Sequence, residues 1–294
     1  MENKKIIWLK NDDKEYFSYK CNTEDIDILP IYRTNFKWQK ILRNILLLKF
    51  HIHTKLWFGK WVDIIGKYDM IIVNAGELSI PVVKYLNDIK SDIRIVVWFW
   101  NPIGNRFKLE WFNKYKCELW SFDEHDCERY NLNFNSQFYM EKPKNINHDN
   151  LYNICFVGKS KGREKIINTI IDQLDIQGIT NNYIRVIEKK SDYIKYEEYI
   201  SKMRKSICIL DVVADEQYGL TLRPLEALFY KKKLITSNKN ITKYPFYNKN
   251  NIFIIDIDDF SEIGKFLSTP YETISTEIVD YYYVTNWVKR FKRE

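Results

Sequence analysis

The chain has 294 residues, a net charge of +7 from 46 Lys and Arg against 39 Asp and Glu, and an aromatic content of 16%. With 45% hydrophobic residues and only 9 Gly and 7 Pro, it has ample apolar surface to offset chain entropy, which excludes disorder, collagen and low-complexity scaffolds. The cationic excess favours an anionic partner: nucleic acid, a phosphorylated metabolite or a membrane face.

The N-terminal stretch 1–16 has no apolar core of signal-peptide length. No stretch approaches the ~20 apolar residues needed to span a bilayer. Five cysteines without a C-x-x-C pair fit reduced thiols, so a cytoplasmic chain is expected. His51, His53, His125 and His148 show no H-E-x-x-H spacing, and no zinc site is expected.

Lys5–Leu9 reads as an opening strand. Between Asp27 and Asp63 there is no acidic residue. Arg33, Lys37, Lys40, Arg43, Lys49, Lys55 and Lys60 are interleaved there with Phe36, Trp38, Ile41, Leu42, Ile45, Phe50 and Trp61. Two readings of 33–61 stay open. One is an interfacial element on an anionic membrane surface; the other is a core helix with a solvated basic face. Asp69–Asn74, Ile93–Trp100 and Cys117–Phe122 are apolar, β-prone runs. Pro81–Asp88 and the segment after Asp123 read as helices, with Asp123 a candidate N-cap.

The alternation stops at 141–150, a polar candidate linker. A second series follows. Strands are predicted at Tyr152–Val157, Tyr183–Ile187, Ser206–Val213, Leu234–Ser237 and Ile252–Ile255. Helices are predicted from Gly158 to about Leu174, at Tyr196–Lys205, at Leu222–Tyr230 and in the basic tail Thr285–Glu294. The pattern predicts an α/β protein with parallel sheets covered on both faces. Residues 1–145 and 151–280 form two Rossmann-like domains, with 281–294 as a terminal helix. Two such domains would leave a cleft between the carboxyl edges of their sheets, where ligands of such sheets bind.

Two constellations carry chemistry. In Phe156–Arg163 a strand runs into a helix through Gly158 and Gly162, with Lys159, Lys161 and Arg163 alongside. Glycine lets the backbone approach a ligand, the helix start presents free N–H groups, and the cations would neutralise a diphosphate. An ordinary surface turn with solvated lysines is the alternative. In Asp211–Ala227 a polar loop leads through Gln217, Gly219, Leu220 and Thr221 into a helix carrying Arg223 and Glu226 three residues apart. Thr221 is expected to cap that helix, and Pro224 is tolerated only in its first turn. Arg223 suits a diphosphate, and Glu226 suits a ribose diol. The alternative is a surface Arg–Glu pair.

GLTLRPLEAL followed by Lys233–Asn238 (KLITSN) resembles the donor-binding segment of GT-B glycosyltransferases. Trp100-Asn101-Pro102, Trp120–Asp123, Phe156–Arg163 and Lys243–Ile255 extend the resemblance from about residue 68 to the end, toward the bacterial enzymes of capsule, lipopolysaccharide and exopolysaccharide synthesis. The pattern departs from the family in one respect. Many GT-B enzymes place two glutamates eight positions apart around the glycine, whereas Glu216 and Glu226 are ten apart, so Gln217 or Asp215 would stand in for the first.

The resemblance implies a metal-independent hexosyltransferase-like enzyme without a cofactor, located in the cytoplasm or peripherally on the inner face of the membrane. A nucleoside-diphosphate sugar would bind the C-terminal domain, and a saccharide or lipid-linked acceptor the N-terminal one. It also implies that the final helix crosses back to the N-terminal domain. An inverting enzyme would need a base. Glu77, in a glycine-containing loop at a strand end, is the first candidate, with Asp123 and His125 as second choices. Asn101 and Arg106 would lie on the acceptor side.

Three rival readings fit parts of the sequence. A metal-dependent GT-A reading rests on Asp256-Ile257-Asp258, although a strand end with a helix cap explains it adequately. A non-catalytic nucleotide- or nucleic-acid-binding protein would use the same cations, but no recognised motif supports it and no nucleic acid is expected as partner. The third is an inactive scaffold in a polysaccharide assembly.

Overall fold

A computed structural model describes residues 6–10, 26–33, 36–50, 52, 55–89, 92–104, 107–143, 150–159, 162–213 and 218–291. The chain divides into two units, Met1–Ser136 with Trp287–Glu294, and Gln137–Asn286.

In unit 1, strands β1 (Ile6–Lys10), β2 (Ile26–Pro30), β3 (Met70–Asn74), β4 (Arg94–Phe99), β5 (Glu118–Ser121) and β6 (Asn133–Phe134) form one sheet. The order is β2-β1-β3-β4-β5-β6, and every pairing is parallel. Buried runs such as IIWLK in β1 and IVVWF in β4 are the mark of a sheet covered on both faces. Helices α1 (Lys37–Asn44) and α2 (Trp61–Ile64) lie between β2 and β3, α3 (Ile80–Asp88) between β3 and β4, and α4 (Glu124–Tyr130) between β5 and β6. Successive strand residues point to opposite faces. Ile7, Leu9, Ile71, Val73, Val97 and Phe99 pack with Val82, Val83 and Leu86 of α3 in one core.

In unit 2, β7 (Tyr152–Lys159), β8 (Tyr183–Ile187), β9 (Ser206–Asp211), β10 (Lys233–Thr236) and β11 (Ile252–Ile254) form a parallel sheet of order β11-β10-β9-β7-β8. Helices α5 (Glu164–Ile176), α6 (Tyr196–Arg204), α7 (Leu222–Tyr230), α8 (Ile263–Ser268) and α9 (Thr276–Tyr281) complete the unit. Helix α5 buries Ile167, Ile170 and Leu174, the i, i+3, i+7 stripe of an amphipathic helix. They meet Ile154, Phe156, Leu210, Ile235 and Phe253. Helix α7 is buried from Pro224 to Tyr230.

Helix α10 (Val284–Lys289) leads the chain back into unit 1. Trp287 lies 5.1 Å from Trp8 and 4.7 Å from Trp98, ring centre to ring centre. Its indole N–H donates to the Ser136 carbonyl at 2.8 Å. Arg290 donates to Asn135 Oδ1 at 2.9 Å and to Ser136 Oγ at 2.8 Å. Phe291 sits 4.9 Å from Trp120.

The α/β class and the parallel sheets are as the sequence predicts. Strands β2 and β6 were not foreseen. Strand β7 runs two residues past Val157 to Lys159, and the tail helix ends at Lys289 instead of Glu294. Of the candidate linker, 144–149 lies outside the described residues.

Candidate functional site

Counted from β8, the unit 2 sheet runs in the order 2-1-3-4-5, with its reversal between β7 and β9. Open α/β sheets bind ligands beyond the carboxyl ends of the strands flanking that reversal. Those ends are Lys159 of β7 and Asp211 of β9, where both chemical constellations of the sequence converge. Asp211 is fully buried. Its Oδ1 accepts Thr221 Oγ1 at 2.9 Å and Arg223 Nη1 at 3.4 Å, and its Oδ2 accepts Thr236 Oγ1 at 3.1 Å. Thr221 is the N-cap residue of α7 by position but makes no side-chain cap, its hydroxyl donating to Asp211 instead. Arg223 Nη2 donates to the Val157 carbonyl at 2.8 Å, so this guanidinium bridges β7 and β9 across the reversal.

Gly158 makes that bridge possible. A Cβ there would lie 2.7 Å from Arg223 Nη2 and 3.2 Å from the Phe156 ring. Gly162 takes a left-handed φ of 80°, open to glycine at little cost, and turns the chain into α5. Arg163 is buried. Its Nη2 donates to the Lys159 carbonyl at 2.7 Å, and its Nη1 to that of Val212. The guanidinium thus ties the turn after β7 to the end of β9. Burial, with the charge of Arg223 added, lowers the Arg163 pKa. Burial opposes the charge of Arg223 too, but Asp211, Tyr199 and Glu226 outweigh it and the net shift is upward. Lys159 is exposed, with its amine 5.3 Å from the Tyr193 ring centre. Gly219 and Leu220 are buried just ahead of α7. Lys161 and Gln217, with Asp215 and Glu216, lie outside the described residues.

Glu226 is not on the surface: it is 2% exposed. Oε1 accepts the Tyr196 hydroxyl at 2.7 Å, and Oε2 accepts that of Tyr199 at 2.6 Å. Tyr139 Oη lies 3.2 Å from Tyr196 Oη. Burial raises the Glu226 pKa, partly offset by the tyrosine hydrogen bonds and by Arg223. Asp211, Thr236, Tyr196 and Tyr199 are members of this edge that sequence reasoning passed over. Asp211 opened the motif but was given no role. The two tyrosines reach Glu226 from α6, about thirty residues away in the chain.

In unit 1 the reversal lies between β1 and β3. Trp8 Nε1 donates to Asn74 Oδ1 at 3.0 Å across it. Lys10, the last residue of β1, is buried with its amine 3.9 Å from the Trp8 ring centre; nothing in the sequence singled it out. Glu77 opens the short 3-10 turn after β3 and is exposed. It borders a cavity of about 380 Å³ with Leu47, Leu48, Pro81, Trp111 and Tyr115. Asp123 caps α4, accepting the N–H groups of His125 at 3.0 Å and Asp126 at 3.3 Å. His125 and Asn101 are exposed. Arg106 lies outside the described residues.

The 33–61 segment resolves into α1, a π-helical turn at Ile45–Lys49 and a short 3-10 turn. Tyr32, Leu47, Phe58 and Trp61 enter the core. So does Arg43, whose guanidinium lies 4.3 Å from the Tyr32 ring centre; this cation does not face outward with the others. Apolar side chains do face outward: Phe36 is 59% exposed, Trp38 63%, Ile41 53%, Phe50 58% and Leu56 79%. Lys37, Lys49, Lys55 and Lys60 are exposed among them. Core-facing, apolar outward-facing and basic outward-facing side chains thus all occur in this segment. Among the described residues, no helix is long and apolar enough to cross a membrane.

Neither a protein-family model nor a curated protein matches the sequence. Solved structures do match in fold. HepE (Alr3699) of Anabaena, crystallised with UDP and glucose, superposes with a TM-score of 0.58 at 9% identity, covering 98% of both chains. Sucrose-phosphate synthase from Thermosynechococcus elongatus superposes with a TM-score of 0.51 at 10% identity, covering 97% of this chain and 86% of its own. With two doubly wound parallel sheets and a last helix that rejoins the first unit, the chain has the GT-B fold of glycosyltransferases.

Proposed function

We propose that the chain is a glycosyltransferase that moves a sugar from a nucleoside-diphosphate sugar to a saccharide or lipid-linked acceptor in bacterial surface polysaccharide synthesis. The observation that carries this reading is the convergence of Arg223, Arg163, Lys159 and the start of α7 on the β7/β9 reversal. In glycosyl transfer the leaving diphosphate gains charge as the glycosidic bond breaks. Cations and helix N–H groups already fixed at that point stabilise the transition state. The buried Asp211 holds Arg223 and Thr221 in place. Glu226 takes the ribose, its lone pairs not used by Tyr196 and Tyr199 accepting the sugar hydroxyls. UDP bound to HepE agrees with a uridine donor.

A panel of UDP-, GDP-, dTDP- and CMP-linked sugars tests this. One of them raises Tm by about 3 °C or more near saturation. Arg223→Lys and Glu226→Gln abolish or sharply reduce that shift. A panel without any shift overturns the reading. Turnover survives chelation, since no step in it needs a metal. If the reaction inverts, Glu77 is the base, and Glu77→Gln lowers kcat by 10²–10⁴-fold, the usual worth of a general base.

The outward face around α1 favours a lipid-linked acceptor. Exposed aromatic and aliphatic side chains among lysines, without a carboxylate between Asp27 and Asp63, suit a bilayer surface of anionic lipid.

A further inference from the structure

The amino-terminal edge of the unit 2 sheet holds a cavity of about 400 Å³, bordered by Asn150, Lys231, Lys232, Lys233 and Tyr271 among others. Helix α7 ends with Lys231 in the left-handed region at φ 50°. The Lys232 N–H then donates to the Ala227 carbonyl at 2.8 Å. This αL termination delivers two lysines in succession to the start of β10, beside Ile207 near the start of β9.

Both are withdrawn from water: Lys232 is 4% exposed and Lys233 3%. Lys232 Nζ donates to Asn150 Oδ1 at 3.1 Å. Lys233 Nζ donates to the Asn250 carbonyl and lies 4.3 Å from the Phe266 ring centre. These partners are all neutral. Among the described residues, neither amine pairs with a carboxylate. Buried ammonium groups are normally paired, because desolvation without a counter-charge is expensive. Both amines are thus buried without a counter-charge, and exposed Lys231 precedes Lys232 at the cavity rim. Burial, with repulsion from Arg204, lowers Lys232 to about 8, so its charge is carried at neutral pH at a cost that an anion would offset.

We propose that this cavity binds a small phosphorylated solute, its phosphate held by Lys231 and Lys232 and its body resting on Ile207, Pro270 and Tyr271. The missing counter-charge is then supplied by the ligand. The site is separate from the donor edge. Six-residue β9 places the two edges roughly 20 Å apart, and the proposal stands whether or not the donor reading does.

Thermal melting in sodium pyrophosphate, against sodium chloride at equal ionic strength, tests it. Pyrophosphate raises the wild-type Tm by about 3 °C or more. Lys232→Met and Lys231→Glu lose the part of that gain that Lys159→Ala, at the donor edge, retains. Lys231 is exposed, so its variant reads the site without disturbing the core. In chloride, Lys232→Met melts at or above wild type, because an uncompensated buried charge has gone. An equal gain in wild type and both lysine variants, or a gain lost in Lys159→Ala alone, overturns the proposal. So does the absence of any gain. Sedimentation with phosphatidic acid vesicles that Lys231→Glu abolishes, without a pyrophosphate gain, would assign the phosphate to a lipid and overturn the soluble ligand.

Discussion

Gly158 shows how one missing Cβ can organise a site. A methyl group there would force Arg223 Nη2 away from the Val157 carbonyl, and overpacking of this kind costs about 1–3 kcal/mol. Gly158→Ala is therefore expected to lower Tm and to weaken donor binding more than its stability loss explains; titration of the donor found in the panel checks this. Lys232 makes a second prediction at the same scale. Its folded pKa, about 8, lies below the ordinary lysine value of 10.5. Between those limits the unfolded chain binds more protons, so stability rises with pH there. Below pH 8 the penalty is present in full, on the order of 3 kcal/mol. Urea unfolding of wild type and Lys232→Met at pH 7 and pH 10 should show their difference shrinking at the higher pH.

At the scale of elements, α1 and the π turn after it make the sharpest prediction. Replacing Phe36 and Trp38 with Ser removes exposed apolar area without touching the core. The double variant should melt like wild type but float poorly with phosphatidylglycerol vesicles. Wild type should bind such vesicles less in high salt, as screening requires, and bind neutral vesicles weakly. Equal flotation of variant and wild type would remove the membrane role from this face. The segment also shows where sequence reading stops. Its composition was plain, but which residues turn inward is decided by packing: Arg43 goes under Tyr32, whereas Trp38 stays out. Strands β1, β3, β4, β7, β8 and β9 were legible because buried parallel strands read as apolar runs. Strand β2, IDILP, was hidden by its Asp and its closing Pro, and β6 is two residues long. Gly158, Arg223 and Glu226 were legible because each stands in a local turn-and-helix pattern. Tyr196 and Tyr199 were not, since only the packing of α6 brings them to Glu226.

At the scale of the molecule, unit 1 is discontinuous and its second core face depends on Trp287. That side chain is fully buried against Trp8 and Trp98. Trp287→Ala should cost about 3–5 kcal/mol, as large-to-small core substitutions of aromatic residues do. Its effect should fall on unit 1, and hydrogen exchange resolved along the chain would separate β1 and β4 from β7 and β9.

The same feature sets the order in which the chain can mature during synthesis. Asn135 and Trp287 are joined by a hydrogen bond across 152 positions of sequence, so the sheet that emerges first from the ribosome is completed last. Unit 2 is one continuous stretch and can close while the first sheet still shows Trp8 and Trp98 to solvent. The usual sequence of N-terminal domain first is then reversed. A chain truncated after Asn286 would carry the whole second unit and a first unit that still lacks Trp287.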